Sequence, residues 1–153
     1  WSLRRDIRIG IIGLGYVGLP LAMAFSRHFE VVGYDSDSTR IVELREGRDR
    51  TNELELASEE INQSMNSYSD ELDLLQGANF YCVCLPTPID GDKKPDLEPL
   101  EKACRTVASV LAKGDIVVFE STVYPGATEE VSIPMLEKYS GLQINDDFEL
   151  MRN

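Results

Sequence analysis

Apolar positions along the chain recur at two alternating spacings. Ile7 to Ile12 is a β-branched run ending in glycine, the pattern of a strand buried on both faces. Tyr16 to Phe29 then carries Val17, Leu21, Ala24 and Phe25 at helical spacing, with Pro20 in a first turn where its missing N–H does little harm. Glu30 to Tyr34 predicts a second strand ending at Asp35, and Asp37 or Ser38 can cap a helix that runs to about Glu46 and closes at Gly47.

Beyond Gly47 the pattern weakens. Gly47 to Leu56 is polar and irregular, and Ala57 to Gln63 predicts a short helix. Met65 to Tyr68 reads as a third strand, followed by a helix from Ser69 through Gln76. Ala78 to Leu85 is a fourth strand stopped by Pro86-Thr87-Pro88, and the charged loop Ile89 to Pro95 follows. Leu97 to Lys113 predicts a long amphipathic helix ended by Gly114, Asp115 to Glu120 a fifth strand, and Pro125 to Tyr139 a further helix. Strands alternating with helices demand parallel pairing. The expectation is an α/β fold over 1–153: a Rossmann-type doubly wound parallel sheet, three layers αβα, in strand order 3-2-1-4-5. The tail Gln143 to Asn153 offers a truncated sixth strand.

Composition narrows the partners. With 153 residues, 42% hydrophobic and 27% charged, one well-cored domain is expected. The 15 basic residues face 27 acidic ones, a formal net charge of −12. Such a surface repels phosphate backbones and anionic lipid, so neither nucleic acid nor a membrane is expected as a partner. No apolar run reaches the roughly 18 residues that span a bilayer, and because the first apolar run is the glycine-turn strand no secretion signal is expected. Cys82, Cys84 and Cys104 lack metal-ligand spacing and read as buried thiols of a reducing, cytoplasmic protein. No metal site is expected.

The chemistry-bearing positions cluster at strand ends. Gly13-Leu14-Gly15-Tyr16-Val17-Gly18 joins the first strand to the first helix, and an acid, Asp35, stands about twenty residues further on. Gly13 permits the tight turn, Gly15 lets backbone N–H groups approach a pyrophosphate, and Gly18 lets the helix pack on the sheet. The phosphates then face the N-terminal end of a helix. Asp35 suits the adenosine ribose hydroxyls and would repel a 2′-phosphate, which favours NAD over NADP; a helix cap or solvated loop acid is the alternative. Arg40 can reach ribose or adenine, or be a solvated arginine on a helix face. Thr87 lies across the switch point from Gly13. Glu120-Ser121-Thr122 ends the fifth strand, where helix capping competes with a cofactor role for Thr122. His28, the one histidine, sits near a helix C-terminus with no catalytic partner in view.

The run GLGYVGLPLA, Leu85-Pro86-Thr87-Pro88-Ile89 and ESTVYPGATEE at 120–130 resemble the UDP-glucose/GDP-mannose dehydrogenase family over about Arg8 to Phe148. Gly47-Arg48-Asp49-Arg50-Thr51-Asn52-Glu53, Pro95-Asp96-Leu97 and the EST before VYPG narrow this to the UDP-N-acetylhexosamine 6-dehydrogenases of bacterial surface-polysaccharide synthesis. The resemblance implies oxidation of a sugar C6 alcohol to a carboxylate by two NAD molecules, through a thiohemiacetal and thioester on a cysteine. It implies NAD contacts at Gly13, Gly15, Tyr16, Val17, Gly18, Asp35, Arg40, Thr87 and Thr122, with Glu120 and Thr122 as accessory catalytic residues near the nicotinamide. It also implies a UDP-sugar substrate and a homodimeric full-length enzyme.

The family's nucleophilic cysteine lies in a glycine-rich loop followed by Phe-Pro-Lys-Asp, which this chain does not contain, and Cys82, Cys84 and Cys104 are not its equivalents. Its central helix and C-terminal sugar-nucleotide domain are likewise expected outside these residues, leaving a cofactor domain without turnover of its own. A UDP-glucose or GDP-mannose 6-dehydrogenase, and a stand-alone NAD-binding module without catalysis, are the competing readings.

Overall fold

The computed structural model describes residues 7–15, 18–45, 67–84, 98–120 and 131–152. Among these residues six strands, β1 (Arg8–Ile12), β2 (Glu30–Tyr34), β3 (Ser67–Ser69), β4 (Phe80–Val83), β5 (Ile116–Phe119) and β6 (Glu149–Arg152), form one sheet in the order β3-β2-β1-β4-β5-β6. Every pairing is parallel. The predicted order is therefore observed, and the sixth strand pairs all four of its residues with β5.

The helices α1 (Gly18–Phe25), α2 (Ser38–Arg45), α3 (Glu98–Val110) and α4 (Ile133–Ser140) complete the described elements, with a 3₁₀ turn at Leu72–Leu75. Two apolar cores lie on the two sides of the sheet. Ile9 and Ile11 of β1 and Cys82 of β4 pack with Leu19, Ala22 and Met23 of α1 and Ile41 and Leu44 of α2. Ile12, Tyr81 and Val83 face the other way, against Leu100, Cys104 and Val107 of α3 and Leu136 of α4. This period-two division is why the strands read as continuous apolar runs. The change of helix side falls between β1 and β4, where a doubly wound sheet opens a crevice for ligands.

Three boundaries differ from the sequence expectation. The helix foreseen from Ser69 is a single 3₁₀ turn; Ser69 Oγ accepts the Glu71 N–H in a local turn, and Gly77 closes the segment at φ 88°. The first helix ends at Phe25, and residues 26–29 form a turn holding an exposed His28, whose ring meets Phe29 edge-on. The third helix stops at Val110, because the Asp115 carboxylate takes the Ala112 N–H at 2.8 Å and draws the chain toward β5. The expected helix at Ala57 to Gln63 and the loop Ile89 to Pro95 lie outside the described residues. So does the stretch from Pro125 to Glu130, the foreseen start of the last helix, whose described part is α4. No helix among the described residues is long and apolar enough to cross a membrane.

Candidate cofactor-binding site

The glycine turn is built from β1 outward. Gly13 takes φ 96°, a conformation that penalises any side chain, and its N–H donates to the Tyr34 carbonyl at 2.8 Å, tying the turn to the end of β2. Gly18 opens α1 directly against the turn. A Cβ there would stand 1.6 Å from the Gly13 oxygen and 3.2 Å from Cys84 Cβ, so only glycine allows the helix this close. Gly15 is the opposite case: a Cβ would meet no atom within 4 Å. The empty space beside it is the approach that a ligand's phosphates require, and the turn fits a dinucleotide on that count.

Asp35 ends β2 facing this turn. Its Oδ2 accepts the Leu14 N–H at 2.9 Å and its Oδ1 accepts the Asp37 N–H at 2.9 Å. The helix-cap alternative belongs to Asp37 instead, whose Oδ1 takes the Thr39 N–H at 3.0 Å and, more loosely, the Arg40 N–H at 3.4 Å. Asp35 thus ties the glycine turn to the loop before α2, half-exposed at the mouth of a cleft. Arg40 is not a solvated arginine. It is 2% exposed, and its Nε donates to the Leu14 carbonyl at 2.7 Å, beneath the turn.

The cleft has a volume of about 540 Å³. Gly13, Tyr34, Asp35 and Ser36 form one wall, and Lys102, Arg105 and Thr106 of α3 stand on the other. The sequence pattern marks α3 only as an amphipathic helix. A faint signal was present in Glu98, Lys102 and Thr106, four residues apart and so on one helical row, but the row's direction depends on how α3 sits on the sheet.

Glu120 follows β5, half-buried, with its N–H donating to the Val83 carbonyl at 2.9 Å at the C-terminal edge of the sheet. It lies on the same edge as the glycine turn. Its charge is felt by two neighbouring thiols. Burial pushes Cys84 up to about 12, and the Glu120 carboxylate adds to the shift. Cys82 is raised by burial first, then by Cys84 and Glu120. Burial pushes Cys104 up to about 11, with the nearby Ser132 hydroxyl opposing the shift. All three cysteines are free and buried, as expected, and stay protonated thiols at neutral pH.

The structure therefore brings Gly13, Gly15, Gly18, Asp35 and Arg40 together, with Glu120 along the same sheet edge. Tyr16, Val17, Thr87 and Thr122 lie outside the described residues. Among the described residues no group of three His, Cys, Asp or Glu side chains could hold a metal ion.

Comparison with known proteins agrees with this architecture. The UDP-N-acetyl-D-glucosamine 6-dehydrogenase of Pseudomonas aeruginosa is 52% identical over 144 residues, 94% of this chain and 34% of that protein. The enzyme of the same name from Salmonella typhi is 49% identical over 144 residues, 94% of this chain and 33% of that protein. The chain thus spans about a third of the length of the curated relatives it matches. Among solved structures, a UDP-D-ManNAc dehydrogenase from Pyrococcus horikoshii superposes with a TM-score of 0.87 at 37% identity, covering 96% of this chain and 36% of that one. The family model for the UDP-glucose/GDP-mannose dehydrogenase family, NAD binding domain, matches residues 7–153, and the chain belongs to that family, with NAD as its cofactor.

Proposed function

We propose that this chain is the cofactor domain of an NAD-dependent UDP-N-acetylhexosamine 6-dehydrogenase, which oxidises the sugar C6 alcohol to a uronic acid for surface-polysaccharide synthesis. The observation that carries it is the Asp35 carboxylate, fixed at the cleft mouth by Leu14 N–H while the space beside Gly15 stands open. A carboxylate so placed accepts from ribose hydroxyls and repels a 2′-phosphate. The sugar class is supported by similarity to the Pseudomonas and Salmonella proteins, each close to half identical over most of this chain.

In this reading bound NAD would supply the hydride acceptor for oxidation at the sugar C6, and this chain's residues would hold and orient it. Gly13, Gly15 and Gly18 admit the pyrophosphate, and Asp35 receives the ribose. Tyr16, Val17, Thr87 and Thr122 are cofactor contacts carried over from the family resemblance. Glu120 and Thr122 serve as accessory groups near the nicotinamide. The covalent steps belong to a cysteine outside this chain, since all three thiols here are buried and held protonated. The full-length enzyme is then a cytoplasmic homodimer acting on a UDP-sugar.

The test is to assay the full-length gene product for NADH formation with UDP-N-acetylglucosamine, UDP-N-acetylgalactosamine, UDP-glucose and GDP-mannose. Turnover of either N-acetylated sugar supports the reading. Turnover of UDP-glucose or GDP-mannose alone reassigns the enzyme within the family, and NAD binding without any turnover leaves a binding module.

A further inference from the structure

The peptide unit joining Leu14 to Gly15 is held through its oxygen. Arg40 Nε donates to the Leu14 carbonyl at 2.7 Å, in a buried contact across 26 residues of chain. Arg40 is fixed in turn: its backbone N–H is taken by Asp37, and its Nη1 stands 3.8 Å from the Glu43 carboxylate. A trans peptide is planar, with its C=O and N–H pointing in opposite directions. Drawing the Leu14 oxygen inward onto α2 therefore turns the Gly15 N–H outward, at a residue whose own Cβ position opens on empty space. The preceding peptide is set in the same way. Asp35 Oδ2 holds the Leu14 N–H at 2.9 Å, and the Gly13 oxygen faces Gly18.

We propose that Arg40 is a positioning residue: acting through the Leu14 carbonyl, it aims the Gly15 N–H at the cofactor's pyrophosphate. The Nε–H does this, not the charge at the far end of the guanidinium. The pyrophosphate as target rests on the NAD assignment; the orientation of the peptide does not. A turn whose donors are fixed before binding loses less freedom when the anion arrives.

Two substitutions separate the hydrogen bond from the charge. Glutamine carries an amide nitrogen at the position of Arg40 Nε, with no charge, and methionine carries a methyl group there. In the ligand-free chain, the Gly15 amide resonance should move in R40M and stay near its wild-type position in R40Q. ADP affinity by calorimetry should fall about tenfold in R40M, the scale of one charge-assisted hydrogen bond, and R40Q should recover most of that loss. Dideoxy-ADP, which lacks both ribose hydroxyls, should lose the same factor in R40M as ADP does.

Equal losses in R40M and R40Q overturn the proposal in favour of guanidinium charge. A loss that vanishes with dideoxy-ADP overturns it in favour of direct ribose contact. If R40M fails to fold, R40Q decides alone: a displaced Gly15 resonance together with weakened ADP binding refutes the proposal. If the wild-type chain binds neither NAD nor ADP, the cofactor reading falls, and an unmoved Gly15 resonance in R40M separately refutes the positioning role.

Discussion

Asp35 and Leu14 are joined by a 2.9 Å hydrogen bond from the Leu14 N–H to Asp35 Oδ2, across 21 residues of chain. The carboxylate at the mouth of the cleft thereby also holds the glycine turn in place.

D35A is therefore expected to weaken NAD binding by about 1.5–3 kcal/mol, the range for a hydrogen bond to a charged group. It should also narrow the preference for NAD over NADP, since the repulsion of a 2′-phosphate goes with the carboxylate. Calorimetry with both dinucleotides measures the two effects. Unchanged NAD affinity would remove Asp35 from the ribose site.

The two flanking glycines should fail in different ways. In G18A a methyl group would stand 1.6 Å from the Gly13 oxygen, so α1 must shift off the sheet, at about 1–3 kcal/mol or more. In G15A the methyl group enters open space, and stability should change by no more than about 0.5 kcal/mol while NAD binding is lost. Thermal melts and calorimetry on the pair test this. A strongly destabilised G15A with intact affinity would contradict it.

Lys102 stands on the α3 wall of the cleft, 3.5 Å from Glu98 in an exposed pair. Breaking that pair should change stability by less than about 1 kcal/mol. K102E, however, sets a carboxylate opposite Asp35 and should weaken binding of the anionic cofactor, more at low salt than at high. Affinity that does not respond to ionic strength would argue against α3 as a wall of the site.

The buried thiols predict how stability varies with pH. Folding raises Cys104 from 9.0 to about 11 and Cys84 from 9.0 to about 12. The native chain therefore keeps protons that the unfolded chain releases. Below about pH 9 these groups leave stability level; above it, stability should fall by about 1.4 kcal/mol per pH unit for each thiol until the folded value is reached. Urea unfolding at pH 8 and pH 10 checks the sign. Serine at Cys84 should make the decline shallower.

Local pattern alone determined much of this protein. The β-branched run into Gly13, the helix opening at Gly18 and the acid at the end of β2 were legible because each rests on neighbours in sequence. Turn geometry and strand period are set within a few residues. The strand order followed from alternation of elements, and observed pairing agrees with it. The segment after Ser69 is a 3₁₀ turn where the sequence predicts a helix, because Ser69 Oγ is engaged by the Glu71 N–H in a local turn and Gly77, at φ 88°, ends the segment.

Tertiary structure decided what no window of sequence contains. Arg40 could be a solvated arginine on a helix face until packing buried it and brought its Nε to the Leu14 carbonyl. Lys102 and Thr106 became a wall of the cleft only because α3 crosses the sheet beside the end of β2. Spacing along a helix says which residues share a row, while the surface that row faces is chosen by long-range packing of strands and helices. The glycines and Asp35 therefore announced a dinucleotide from the sequence, and the folded chain determined which groups hold the turn in place.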